Sequence, residues 1–327
     1  MTIRLGVDWD SDAKVTYEEN FSKAKFICKD IRKLAVKDLA PYVKRRPILF
    51  GACVPCQPFS RQNRIRNDGD GRRTLLREFH RFVKAYRPEY IFLENVPELN
   101  ATEDLKGPFS EFLDFLESLG YSCAHKIIMA YHYGVPQRRR RLILVASRLG
   151  PIEFPSPTHG PKTSNPDLPT VWEHISSLPR LKAGKAHAKI PNHRAASLSA
   201  LNLKRIASTP KGGGRLDWPK RLDLECHKEH SGHTDVYGRM AKHRPAAALT
   251  TRCTSLSNGR FGHPTQNRAI SIREAACLQT FPMTFEFYGN LTSMARQVGN
   301  AVPVELARIF GAAILQHYRS IKAKKAA

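Results

Sequence analysis

PILFGACVPCQPFS, residues 47–60, is the stretch on which the fold turns. Its first seven residues are a continuous apolar run bounded by turn residues, the pattern of a strand buried on both faces of a sheet. A cysteine bracketed by Pro55 and Pro58 follows, at the carboxyl end of that strand. Open α/β sheets hold their ligands at this edge, and the prolines stiffen the backbone that carries the thiol. A free cysteine taken alone is more often a small buried hydrophobe. The surrounding Pro-Cys-Gln-Pro-Phe-Ser sets Cys56 apart.

Working outward, residues 3–8 read as a strand and residues 11–21 as a helix with Ser11 or Asp12 as N-cap. Residues 74–86 place Leu75, Leu76, Phe79, Phe82, Val83 and Tyr86 at helical spacing. Residues 90–93 form another apolar strand, residues 109–119 a helix ended by Gly120, and residues 141–146 (RLILVA) a further strand. This alternation predicts a mainly parallel α/β sheet. The character changes after Gly150. Residues 151–250 are rich in Pro, Gly, Ser, His and Lys, with KGGGR at 211–215 as a flexible or close-approach segment. Order returns in a helix over 271–280. A last helix is opened by Pro303, with Val304, Ala307, Gly311, Ile314 and Leu315 along one face. The basic tail is expected to fray. The expected division is a core over 1–150, a loop-rich domain over 151–265, and a segment over 266–327 that returns to the core.

The 327 residues are 41% hydrophobic, enough for a sizeable core, and carry a formal charge of +24. That imbalance favours a polyanionic partner, nucleic acid above all. Neither a run of 18 apolar residues nor a leader signature stands out, so a membrane partner is not expected and the cytoplasm is. Seven cysteines at irregular spacing argue against a disulfide framework.

Other segments carry chemistry. FLENVPEL at 92–99 puts a carboxylate and an amide at a strand end. YGVPQRRRRLILVA at 133–146 runs four arginines into an apolar strand, so Arg139 and Arg141 share one face. ISIREAACLQTFP at 270–282 offers Arg273 and Glu274 as a helix-surface pair, and QVGNAVPVELA at 297–307 puts a turn before a helix. In this order, and together with GVDWDSDAKVTYEENF from residue 6 and the CKDI that holds Asp30, these segments resemble the motifs of the DNA cytosine-5 methyltransferases. The resemblance runs from about residue 3 to 313.

The resemblance implies an α/β, Rossmann-like S-adenosylmethionine-dependent methyltransferase core with a smaller, loop-rich target-recognition domain. It makes Cys56 the nucleophile and has Glu94 hold the cytosine ring. Arg141 would bind the base carbonyl, and Arg139 would support the cysteine loop. Asp8, Trp9, Asp30 and Asn300 would bind S-adenosyl-L-methionine: Asp8 at the ribose hydroxyls, Trp9 stacked on adenine, Asp30 at the adenine amino group, Asn300 in the turn that closes the pocket. The 270–282 segment would brace the recognition domain. Double-stranded DNA is the implied substrate, with a restriction endonuclease as the common partner of such enzymes. No metal is expected. Cys226, His227, His230 and His233 could suggest zinc, but the family carries a similar His-rich stretch.

One departure stands out. The family's first motif, a Phe-x-Gly-x-Gly-Gly loop after the first strand, has no counterpart in this sequence, which opens on MTIRLGVDWD. An internal methionine taken as the start, a truncated gene, or a partner chain that supplies the motif would each account for it, and the first is favoured. The alternatives for function are an RNA cytosine methyltransferase and a catalytically impaired or split-subunit DNA-binding relative.

Overall fold

The computed structural model describes residues 1–54, 75–100, 107–225 and 234–326. The chain folds into two compact units. One comprises Met1–Met129, Arg140–Ser156 and Arg308–Ala327, and the other Ala130–Arg139 and Pro157–Ala307. The helices around residues 272–300 bury their apolar faces in the second unit, and the chain re-enters the first at Arg308.

The first unit opens with β1 (Leu5–Asp8), α1 (Ser11–Asn20) and β2 (Lys25–Cys28), with β1 and β2 parallel. Asp10, one residue before the expected caps, starts α1, because its carboxylate accepts from the amides of Asp12 at 3.0 Å and Ala13 at 3.4 Å. Gly6 lies flat beneath an aromatic ring, and a Cβ there would sit 2.8 Å from the Tyr17 ring.

Then come β3 (Leu49–Ala52), α2 (Leu75–Tyr86), β4 (Tyr90–Asn95), α3 (Pro108–Ser118), β5 (Ser122–Met129) and, after β6 (Gln137–Arg138) of the other unit, β7 (Arg140–Ser147). The sheet order is β3-β4-β7-β5. Only β3 and β4 are parallel, and β7 runs antiparallel to both its neighbours, so the expected mainly parallel sheet is mixed. The link between β5 and β7 carries no crossover helix, which a parallel return would need. Nor is β3 buried on both faces as its apolar run suggested. Among the described residues it pairs only with β4, and Gly51 is exposed.

Alternation along β4 assigns its two faces. Ile91 and Leu93, with Leu142 and Leu144 of β7, meet Leu76, Phe79 and Val83 of α2 and Phe109, Phe112 and Leu116 of α3. Each such side chain contributes about 1.5–3 kcal/mol on burial. Phe92 faces the other way, with its ring 5.8 Å from Phe310 of α8 (Val304–Ala326), and the Tyr90 hydroxyl lies 2.8 Å from His317 Nδ1. The buried positions of α8 are Leu306, Phe310 and Ile314, not the expected row, since Ala307 is exposed. The basic tail is helical to Ala326. A window between Leu291 and Lys325 is apolar enough by composition to cross a membrane, but it covers two helices, and Phe310 and Ile314 are spent on the core.

The second unit is loop-rich, as expected. It holds the parallel two-residue pair β6 (Gln137–Arg138) and β8 (Ala246–Ala247), with α4 (Val171–Ile175), α5 (Ala200–Ser208), α6 (Ile272–Leu278) and α7 (Leu291–Asn300). Val171, Ile175, Phe261, Ile272, Leu278 and Val298 belong to its core. The expected Arg273–Glu274 surface pair does not form, and both residues are buried. Glu274 is bound through two nitrogens of Arg268, each at 2.7 Å, and closes a capping box with Ser271. Arg273 donates to the carbonyls of Pro191, Pro282 and Phe285. Burial pushes the Glu274 carboxyl up, but Arg268 and the neighbouring His263 more than offset this and leave it below its ordinary range.

His263 accepts from the Gln266 amide at 3.0 Å. Burial holds its pKa down to about 4 from an ordinary 6.5, against the pull of Glu274 and with the help of Arg268, Arg239 and His193. Above 6.5 both folded and unfolded chains carry it neutral. Below that, the unfolded chain takes up the proton first, so stability is lost as pH falls from about 6.5 toward about 4, by about 3 kcal/mol at most. His193, also lowered by burial, acts in the same direction. Urea midpoints measured from pH 7.5 to 4.5 should fall with acidity, and less steeply in His263→Asn. Equal slopes would show that this histidine is not the titrating group.

Candidate functional site

In the first unit the carboxyl end of β4 delivers Glu94 and Asn95. Glu94 is 5% exposed and stands opposite Ile143 of β7. Arg141, two residues before Ile143, lies on the same sheet face, and its Nε donates to Glu94 Oε1 at 2.8 Å. This pair is fixed by strand register, not by loop conformation. Arg141 Nη1 also donates to the Arg140 carbonyl at 2.7 Å.

Asn95 is a residue to which sequence reasoning gave no separate role. Its Nδ2 donates to the Val54 carbonyl at 3.3 Å and its Oδ1 accepts from the Val96 amide at 2.8 Å. It therefore ties the exit of β3 to the exit of β4, two residues before Cys56. Cys56 itself lies outside the described residues, as do Cys226, His227, His230 and His233.

The other candidates of the first unit follow the ends of β1 and β2. Asp8 Oδ1 accepts from the Asp10 amide at 3.0 Å. Trp9 is 77% exposed, and among the described residues no ring stacks on it. Asp30 is less available. It caps the turn after β2, and both its oxygens receive the Arg32 guanidinium. The Arg32 side chain and amide hold its pKa down to about 2. An adenine amino group could use Asp30 only if Arg32 swung aside.

In the second unit Arg139 is buried, and the cysteine loop it was expected to support lies outside the described residues. The ladder is interrupted at this residue, since β6 ends at Arg138 and β7 begins at Arg140. Arg139 Nη1 donates to the carbonyls of Leu249 and Gly299, each at 3.1 Å, and Nη2 to that of Ala301 at 3.3 Å. It thus grips the turn around Asn300, whereas Arg141 grips Glu94. Asn300 ends α7, is exposed, and its side chain makes no hydrogen bond among the described residues.

Comparison with known proteins places this geometry. The family described as C-5 cytosine-specific DNA methylase matches residues 1–316. The type II methylase M.HgiDII of Herpetosiphon aurantiacus is 40% identical over 319 residues, which is 95% of this chain and 88% of that protein. The type II methyltransferase M1.HphI of Haemophilus parahaemolyticus is 32% identical, over 92% of this chain and 77% of its own length. Among solved structures, the Entamoeba histolytica methyltransferase EhMeth superposes with a TM-score of 0.66 at 15% identity, covering 97% of this chain and 90% of its own.

The partly buried ion pair makes a test of its own. Arg141 keeps 15% of its side chain exposed against 7% for Glu94, so losing the bond in Glu94→Gln or Arg141→Met should cost less than a fully buried pair would, about 1–3 kcal/mol each. The double variant should lose less than the sum of the two. Urea unfolding of the three variants reads this directly, and additive losses would mean the pair is not coupled.

Proposed function

From a chain that belongs to the C-5 cytosine-specific DNA methylase family, we infer a DNA cytosine-5 methyltransferase in which Cys56 is the nucleophile. The observation that carries the reading is the Glu94–Arg141 pair at the sheet's carboxyl edge, with Asn95 anchoring the backbone just before Cys56.

Cytosine C5 is a poor nucleophile. Addition of the Cys56 thiolate to C6 breaks the ring's aromaticity and leaves C5 enamine-like. Glu94 would hydrogen-bond the ring N3 and the exocyclic amine, favouring protonation of N3 as Cys56 attacks. Arg141 would donate to the O2 oxygen. Strand register already holds both groups on one face, so little side-chain ordering remains when the base arrives. S-adenosyl-L-methionine, when bound, supplies an electrophilic methyl carbon to C5. Loss of the C5 proton and elimination of Cys56 then restore the ring. None of these atoms can be reached inside a stacked duplex, so the cytosine flips out.

The basic, loop-rich second unit is the part suited to reading duplex DNA, and the +24 charge favours such a partner. The names of the relatives suggest a restriction-modification setting, with a cognate endonuclease and a cytoplasmic location. Trapping on a duplex containing 5-fluorocytosine, where the fluorine cannot leave as a proton does, should give a covalent adduct that Cys56→Ser abolishes. A Cys56→Ser protein that still traps would sink the assignment. A tRNA acceptor methylated in preference to duplex DNA would move the substrate to RNA.

For the cofactor, exposed Trp9 and Asp8 fit an adenosine, and Asn300 offers an exposed amide. Asp30 fits only after it releases Arg32. The methionine end would need a close backbone approach of the kind a glycine loop permits, and the sequence holds no Phe-x-Gly-x-Gly-Gly segment. Among the described residues β1 is paired only with β2, and β3 only with β4. This sequence should therefore bind S-adenosylmethionine weakly. Calorimetry decides it, and tight binding would overturn this account.

A further inference from the structure

Two fully buried glutamines in the second unit have no part in the chemistry above. Gln137 on β6 and Gln279 at the end of α6 are both 0% exposed. A buried amide persists only where its donors and acceptors are met. Gln137 Nε2 donates to Gln279 Oε1 at 3.0 Å and to the Leu278 carbonyl at 3.0 Å, and its Oε1 accepts from the Leu249 amide at 2.9 Å. With its oxygen so engaged, Gln279 directs Nε2 onto the carbonyls of Val298, at 2.6 Å, and Ala301, at 3.2 Å.

These acceptors matter because of where they lie. α7 ends at Asn300, and the last carbonyls of a helix lack intrahelical partners. Here they are met by side chains from beneath: Val298 by Gln279, Gly299 by Arg139, and Ala301 by both. The backbone on either side of Asn300 is thereby fixed, while its own side chain is exposed and makes no hydrogen bond among the described residues. Gly299 closes the lock from the side, since a Cβ there would lie 2.1 Å from the Thr250 carbonyl oxygen.

We propose that Gln279 is a positioning residue which, together with Arg139, holds the 299–301 turn so that Asn300 presents its amide to the cofactor. The proposal rests on the reading of Asn300 as a cofactor contact. It gives the Leu-Gln-Thr-Phe-Pro segment a role beyond bracing, because Gln279 carries the order of α6 into the cofactor turn.

The test uses the full chain and two readouts. Hydrogen exchange of the 299–302 amides, measured without ligand, reports the clamp itself. In the isosteric Gln279→Met variant, which lacks the donor, these amides should exchange at least about tenfold faster while α6 keeps its protection. S-adenosylhomocysteine is the binding probe, with weak affinity read by ligand-observed NMR. Gln279→Met should raise its Kd by about tenfold, the order seen when outer-shell partners are lost. Asn300→Ala should do the same, and the double variant should bind no more weakly than Asn300→Ala alone. His263→Asn, a stability control outside the clamp, should leave the Kd unchanged.

Unchanged exchange in Gln279→Met overturns the clamp. Additive losses in the double variant, or an equal loss in the control, overturn positioning through Asn300. No binding by the wild type, or wild-type affinity in Asn300→Ala, overturns the cofactor clause by removing the reading it rests on. The exchange result distinguishes that failure from failure of the clamp.

Discussion

A buried guanidinium must find an acceptor for nearly every N–H it carries, and much of the second unit is arranged to meet that demand. The reverse also holds. A unit built of loops has many backbone carbonyls with no ladder to receive them. Arg139, Arg239 and Arg273 lie inside it and donate to such groups, while Arg268 is held chiefly by the Glu274 carboxylate. Arg239 by itself donates to the carbonyls of Thr209, His263 and Gln266. Arg273 gathers those of Pro191, Pro282 and Phe285. Each arginine joins segments far apart in sequence, as a strand ladder would. Part of the chain's large positive charge is therefore structural, and only the remainder faces a polyanion.

The first unit solves a different problem. Its sheet rests first on ladder pairing, because β4 and β7 are paired along their length and covered by α2 and α3 on one face. What it adds is placement. Register sets Arg141 diagonally across from Glu94, and Asn95 reaches sideways to Val54. Two strand ends and one turn are thus held in fixed relation at the edge where a base would have to be gripped.

The sequence made the strands and helices of the first unit legible, because continuous apolar runs and helical spacing are strong local signals. β2 and β5 were not read. β2 is only four residues, KFIC, and β5, SCAHKIIM, alternates poorly with Ile128 its one buried residue, so neither period shows. With β5 unseen, the antiparallel turn of the sheet was invisible too. Glu94 and Arg141 were legible as a pair of motifs, and the structure brings them together. The partners of Arg139 were not, because backbone carbonyls carry no signature in sequence. Arg273 and Glu274 read as a surface pair since adjacent charges usually are. The segments that cover them, around residues 191 and 282–285, come from elsewhere in the chain. Gln137 and Gln279 left no trace for the same reason, since an amide looks alike on a surface and in a core.

The contact at Gly299 also has a meaning for how such a protein can be rebuilt. Its α-carbon rests directly on the peptide joining Thr250 and Thr251, and no side chain fits between them. Two stretches some fifty residues apart therefore share a single backbone interface. A graft that replaced the loops up to Leu249 would leave that interface native. One extended through Thr251 would set a foreign peptide plane against a glycine that cannot yield. The seam along which a new specificity could be stitched into this scaffold thus runs on the amino-terminal side of Leu249, whatever sequence lies before it.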